Sequence, residues 1–396
     1  MTRILYVTDS LIAGGIESQL VELIRQLDRS RFEPHVLVFY KMPTHSPHFL
    51  PQLRAAGVPV TTLDLGWSAA DKVKAMRQVI AQVWRLRPQI VQAENYHANL
   101  LTHAARIFMP PATKLIGTHR GVYTRSQLRY AWMERDLCDV VVASADHLRC
   151  QLIEGAGIPA ERVVVIPNSV DVTRFGGAAA RGVELRGRLA PGARRLFVSV
   201  GRISRQKRMD LLAEALGLLR RGGSLLDDVR LVIVGHAQEE AYQRMLDAII
   251  AREGLENIVT RQPKTDEPEV YFAACDASAL ASSTEGLPVV ALESLAAGKP
   301  VILSAGANSA GVIEDGETGW VAPTNAPADL AIAIQRMLVT PESELARMAE
   351  RCRARAAEYS IETLARRYMA LYEALADFPR RSHAADRWAA LAEATR

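Results

Sequence analysis

Apolar residues follow two alternating patterns along this chain. Short continuous runs stand at RILYVT (3–8), HVLVFY (35–40), VPVTTLDL (58–65), PQIVQAE (88–94), TKLIGTH (113–119) and DVVVAS (139–144). Between them, apolar positions recur every three or four residues, which predicts helices over 17–27, 50–57, 71–86 and 96–107, and one ending near Asp136. Uninterrupted apolar strands alternating with helices predict a parallel sheet covered on both faces. The pattern then starts again. ERVVVIPNSVDVTRF (161–175) reads as a strand and a crossover, followed by strands in RRLFVSVG (194–201), VRLVIVG (229–235), ENIVTRQ (256–262), DASALAS (276–282), KPVILS (299–304) and TGWVAP (318–323). The small-residue run GGAAA (176–180) separates the two systems. The expected domains are therefore residues 1–175 and 176–375, with 376–396 as a helical tail that either docks or frays.

A length of 396 residues agrees with two cores rather than one. The net charge of +4 is small, but the first 180 residues carry 20 Lys+Arg against 15 Asp+Glu, leaving 28 against 29 in the remainder. An excess of that size points weakly to an anionic partner and is far short of a nucleic-acid footprint. Cys138, Cys150, Cys275 and Cys352 are scattered with no metal-binding spacing, so free thiols are expected. No stretch approaches about 18 uninterrupted apolar residues, and MTRILYVTDS is too soon interrupted for a signal peptide. The expectation is a cytoplasmic protein.

Open parallel sheets bind ligands beyond the carboxyl ends of their strands, so those loops hold the candidate chemistry. EGLPVVALESLAAGKP (285–300) predicts a short helix from 288 to 297, with Pro288 at its first position, Gly298 just past its end and Pro300 barring continuation. Val289, Leu292, Ala296 and Ala297 form its inner stripe, and Glu293 stands at the stripe's edge. The loop Glu285-Gly286-Leu287-Pro288 offers backbone N–H groups at a positive helix end, which suits an anion. Arg202 and Lys207, in the loop after strand 194–200, can converge on a diphosphate or simply serve solubility. Ala13-Gly14-Gly15-Ile16-Glu17 is either a close-approach loop for a ligand or a tight turn. His119 ends its strand, Tyr96-His97 follows another, and Asn168 and Asp171 suit side-chain turns. D-x-D, H-E-x-x-H, G-x-x-x-x-G-K-[ST], G-x-S-x-G and G-x-G-x-x-G are all missing, which leaves metal hydrolase, P-loop ATPase, esterase and dinucleotide readings without support.

Taken together, these residues resemble the family 4 glycosyltransferases (group 1 type) across residues 3–375. The likeness rests on S-x-x-E-G-L-P-x-x-x-L-E-S-L-A-A-G-K-P around Glu285 and Glu293, VGRISRQKRMDLLAEAL (200–216), IPNSVDVTRF (166–175), DGETGWVAP (315–323), AGGIESQL (13–20) and GTHRG (117–121). The resemblance implies the GT-B architecture, two Rossmann-like doubly wound parallel-sheet domains facing across a cleft, and retaining transfer from a UDP- or GDP-sugar with no metal or other cofactor required. It assigns the diphosphate to Arg202 and Lys207 with the amides of Gly286, Leu287 and Pro288's helix, the ribose hydroxyls to Glu293 and the sugar hydroxyls to Glu285. Gly15 and His119 come to the donor sugar. Glu17, Tyr96, Arg120 and Tyr123 become the acceptor side, and the implied acceptor is a glycan or polyprenyl-linked saccharide. Two departures stand out. SAGANSAGVIEDG (304–316) lacks the family's Gly-Gly and glutamate, and Gln89 and Gln92 replace its Asp and His.

Basic and aromatic residues cluster on helix 71–86 (Lys72, Lys74, Arg77, Trp84, Arg85, then Arg87) and in 120–132 (Arg120, Tyr123, Arg125, Arg129, Tyr130, Trp132). They suit contact with an anionic membrane at its inner face, or ordinary solvated faces. The rival functions are a sugar-nucleotide epimerase or hydrolase on the same fold, and a non-catalytic nucleotide- or carbohydrate-binding protein.

Overall fold

The computed structural model describes residues 1–41, 48–224 and 226–376. Residues 377–396, which make up all but the first position of the expected tail, lie outside them. The chain divides into two compact units, one of residues 1–168 together with the segment from Ile361 onward, the other Ser169–Ser360.

The first unit is a seven-stranded sheet of β1 (Thr2–Thr8), β2 (Phe32–Tyr40), β3 (Val60–Leu65), β4 (Ile90–Ala93), β5 (Lys114–His119), β6 (Val140–Ala143) and β7 (Val163–Val165), ordered β3-β2-β1-β4-β5-β6-β7. Every pairing is parallel. The second unit is a six-stranded parallel sheet of β8 (Arg195–Val200), β9 (Val229–Val234), β10 (Val259–Gln262), β11 (Ala277–Leu280), β12 (Val301–Leu303) and β13 (Gly319–Val321), ordered β10-β9-β8-β11-β12-β13. The apolar runs predicted all thirteen strands, most plainly the inner ones, which are covered on both faces and have no polar side; the edge strands β3 and β10 are partly exposed. Each sheet reverses its strand order once, between β1 and β4 and between β8 and β11, and such reversals are where open parallel sheets bind ligands.

The expected domain boundary is corrected in two places. GGAAA is not a linker: Val172–Gly176 is a helical turn and Ala179 begins the helix Ala179–Leu189. Alanine favours helix strongly, and Gly182 lets this helix lie directly on Ala273, where a Cβ would clash. The helix Ile361–Ala376 belongs to the first unit, not the second. Its Leu364, Tyr368, Leu371, Tyr372 and Leu375 join Ile4, Tyr6, Ile90 and Leu20 in one core. Each such buried leucine contributes about 1.5–3 kcal/mol relative to exposure. Polar contacts set the register of this helix, with the Tyr6 hydroxyl 3.0 Å from that of Tyr372, which in turn donates to Gln92 Oε1 at 2.7 Å.

Candidate active site

In the second unit, two loops meet beyond β8 and β11. Gly235, at the end of β9, lacks the Cβ that would overlap the Gly201 carbonyl, so the backbones after β8 and β9 touch. That contact shapes the start of the loop carrying Arg202 and Lys207. Lys207 Nζ lies 2.6 Å from Glu285 Oε1, both side chains being largely shielded from solvent. Gln206 holds the acidic loop in place: its carbonyl accepts from Ser283 N at 2.9 Å, and its side chain donates to the Thr284 carbonyl at 3.2 Å. From the other side the Gly306 carbonyl accepts from Glu285 N at 3.1 Å, and Asn325 Oδ1 accepts from Gly306 N at 2.9 Å. Gly306 must be glycine here, since a Cβ would overlap the Ser283 carbonyl.

The helix following this loop is Val289–Ala296. Pro288 is its cap, with ψ of 112°, not its first helical residue as expected. Gly298, at φ +72°, ends the helix in the left-handed region as its position predicts. The N–H groups of Gly286, Val289 and Val290 find no acceptor among the described residues. Glu293 is half-buried on this helix and accepts no hydrogen bond from them either. Burial pushes its carboxyl up to about 7, against the opposing pull of Arg174 and Lys207 and with a further push from Glu269. Arg174 is itself fixed on Glu269, 2.8 Å from Nη2 to Oε2. Arg202 is exposed and donates to Gln238 Oε1 at 3.2 Å. The second unit thus assembles two cations, two carboxylates and a set of unpartnered amides around one loop pair. That set can grip a diphosphate and adjacent hydroxyls.

In the first unit, a cavity of about 200 Å³ lies beyond β1, β4 and β5, lined by Ile16, Asn95, Tyr96, Tyr123 and Gln127 among others. Glu17 is buried and accepts from Ser10 Oγ at 3.2 Å, beside the helix start at Gly15. His119 and Arg120 do not offer their side chains in the way expected. The His119 imidazole is 2% exposed and meets Glu134 Oε2 at 2.7 Å. Burial alone would raise Glu134, but the His119 contact, helped by His103 and the Tyr123 hydroxyl, more than offsets it and leaves the carboxyl below its usual value. The Arg120 guanidinium is buried on Glu94 (3.2 Å), Asn168 Oδ1 (2.9 Å) and the Tyr368 hydroxyl (3.1 Å). A buried cation needs such partners, and they commit all of its fork to the interior.

Residues 13–174 match the family model described as Glycosyltransferase Family 4, and residues 184–358 match the one described as Glycosyl transferases group 1. Both matches are to glycosyltransferase models, and one follows the other along most of the chain. Its fold is that of the Anabaena protein Alr3699/HepE solved with UDP and glucose, at a TM-score of 0.81 over 93% of this chain and 98% of that one, with 21% identity. A GDP-mannose-dependent alpha-(1-6)-phosphatidylinositol monomannoside mannosyltransferase of Mycobacterium tuberculosis is 29% identical over 97% of this chain and 100% of its own length. A D-inositol 3-phosphate glycosyltransferase of Kineococcus radiotolerans is 31% identical over 52% of this chain. The chain spans about half the length of that relative and of its Thermobifida fusca counterpart, 50% and 48%.

Of the residues the sequence singled out, the fold brings Lys207, Glu285, Gly286, Leu287, Pro288 and Glu293 together in the second unit, with Arg202 earlier in the loop that carries Lys207. Gly15, Glu17, Tyr96 and Tyr123 stand at the carboxyl edge of the first sheet, with His119 and Arg120 turned inward. Sequence reasoning missed Gln206, Gly306, Asn325, Arg174 and Glu269. Of these, Gln206 lies inside VGRISRQKRMDLLAEAL and Arg174 inside IPNSVDVTRF, so both carried a signal in their motifs. It also missed Glu94, fully buried at the end of an apolar strand, where an acid is unusual enough to have been noticed. Gln92 donates to Glu94 Oε1 at 2.7 Å, so the departure from the family's His serves internal packing. The described residues contain no helix long and apolar enough to cross a membrane, and no group of three or more His, Cys, Asp or Glu placed to hold a metal.

Proposed function

We propose that this glycosyltransferase moves a sugar, with retention, from a nucleoside-diphosphate sugar to a hydroxyl of a glycan or lipid-linked glycan. The observation that carries the reading is the loop pair of the second unit: a Lys207–Glu285 pair at 2.6 Å, open amides at a helix start and a carboxylate on that helix with no hydrogen bond. Glu293 takes the ribose hydroxyls as a two-oxygen acceptor, and Glu285 the hydroxyls of the transferred sugar. Lys207 and Arg202 take the diphosphate. As the bond from C1 to the phosphate oxygen breaks, its electron pair leaves with the diphosphate, where these cations and the helix amides stabilise it. The acceptor hydroxyl bonds to C1 from the same face, and its proton passes to the departing oxygen, the nearest base on that face. Charge compensation by Arg202, Lys207 and the helix end makes the reaction independent of a divalent metal.

The relatives' named donors, a UDP-sugar in one solved complex and GDP-mannose in another protein's name, support UDP and GDP as the bases to try first. The exposed Trp84, Ile107 and Phe108 with Arg87 stacked on Trp84 at 4.3 Å, beside the exposed Lys74, Arg77 and Arg85, support peripheral contact with an anionic cytoplasmic membrane face. The test of the function is a panel of UDP-, GDP- and ADP-sugars with EDTA and then with magnesium, scored by release of the nucleoside diphosphate with and without added acceptor. Acceptor-dependent release in EDTA is the expected outcome. Release that ignores acceptor points to a hydrolase, and conversion of the sugar without release points to an epimerase.

A further inference from the structure

A row of rings runs along the carboxyl edge of the first sheet, out of the cavity and onto the surface. Tyr123 and Tyr96 line the cavity, with centroids 5.6 Å apart. Tyr96 meets His97 at 5.2 Å, His97 meets Trp67 at 5.0 Å, and Trp67 stacks on Tyr40 at 3.9 Å and 21°. Tyr40 is 3% exposed and backs the row, while Trp67 keeps 45% exposure with only one face on Tyr40. Nothing in core packing requires a tryptophan held this way at a surface. Polar atoms without partners lie under the row. The Tyr40 hydroxyl, Asp9 Oδ1 and Asn95 Oδ1 are buried with no hydrogen bond among the described residues. Asn95 is moreover held at φ 72° and ψ 163°, a conformation that side-chain-bearing residues rarely adopt.

Charge narrows the ligand. Ile16, Asn95, Tyr96, Tyr123 and Gln127 are uncharged, and Arg120, the one cation among the described lining residues, is committed to Glu94, Asn168 and Tyr368. A phosphorylated ring would find no free cation there. An uncharged sugar ring fits, because its C–H faces pack on aromatic faces while its hydroxyls reach the polar atoms between them.

We infer that the acceptor is an uncharged oligosaccharide of at least two rings, one in the cavity against Tyr96 and Tyr123 and the next on Trp67. This rests on the transferase reading and goes beyond it by fixing the acceptor's charge and minimum length. The test is a saturation-transfer NMR titration with glucose, mannose and galactose, their disaccharides, and myo-inositol 1-phosphate. The proteins are the wild type, Trp67→Ala and Trp67→Phe, with UDP and GDP thermal shifts read on the same samples. At least one disaccharide should bind about tenfold tighter than its monosaccharide. Trp67→Ala should remove that gain and leave the monosaccharide unchanged, and Trp67→Phe should keep most of it. The inference is overturned if no sugar of the panel binds, if disaccharides gain nothing, if Trp67→Ala weakens both lengths equally, or if the phosphorylated ring binds best. Loss of the nucleotide shift alone would count against the donor site and leave this inference standing.

Discussion

Replacing Glu293 by Gln tests the electrostatics of the proposed donor site with no substrate added. Burial holds the carboxyl at about 7 where a free glutamate sits at 4.5, so the folded protein binds a proton there that the unfolded chain releases. The native state therefore binds more protons between those two values, and stability falls as pH rises from about 4.5 through 7. At 1.36 kcal/mol per unit of pKa, the ionised side chain costs about 3 kcal/mol in full, less where water reaches its edge. Glutamine keeps the shape and never ionises. Glu293→Gln should match the wild type near pH 4.5 and exceed it by about 1–3 kcal/mol at pH 8, roughly 3–8 °C in the transition of the second unit. Differential scanning calorimetry from pH 4.5 to 8.5, with the apo protein, reads the difference directly. Curves that stay parallel across this range would show that Glu293 titrates as an ordinary surface acid, and the argument for a desolvated carboxylate awaiting hydroxyls would fail. The same variant should bind nucleoside diphosphate at least tenfold more weakly, because an amide offers one acceptor oxygen in place of two.

Three other outcomes follow from particular contacts. Lys207→Ala leaves Glu285 without its 2.6 Å partner, so steady-state turnover should fall at least a hundredfold while urea unfolding shows a loss of only about 1–3 kcal/mol. Arg120→Met strands the fully buried Glu94 and should cost the first unit about 3–5 kcal/mol, and Glu94→Gln in the same chain should restore part of that in urea titrations. Gly306→Ala places a Cβ on the Ser283 backbone carbonyl and forces the loop to shift, so calorimetric titration should show weaker nucleotide binding and urea unfolding a loss of about 1–3 kcal/mol.

What the sequence revealed and what it hid have a common physical reason. The strands were legible because each is a local apolar run, and the loops around Glu285 because Gly and Pro must fall at fixed local offsets to start and stop an eight-residue helix. Side-chain destinations that depend on distant partners were not. Arg120 looks like an acceptor ligand beside Tyr123, yet its fate is set by Tyr368, 248 positions away. His119 ends a strand as a catalytic histidine would, but Glu134 from a later helix takes its ring. The domain boundary was misplaced for the same reason. The amphipathic pattern of 361–376 predicts a helix and says nothing about which sheet receives it, and the tyrosines that decide the matter pair with Tyr6 and Gln92. Tyr40, Trp67 and His97 likewise lie far apart in sequence and gave no sign of forming one row.

The central claim is that the second unit is a nucleoside-diphosphate-sugar site built on Lys207, Glu285 and Glu293. The most direct measurement is a thermal-shift titration of UDP, GDP and ADP in EDTA, on the wild type and on Glu293→Ala. The account predicts that one diphosphate raises the melting temperature in a concentration-dependent way, as mass action requires, and that Glu293→Ala loses the effect. No shift with any of the three, or an undiminished shift in Glu293→Ala, would contradict it.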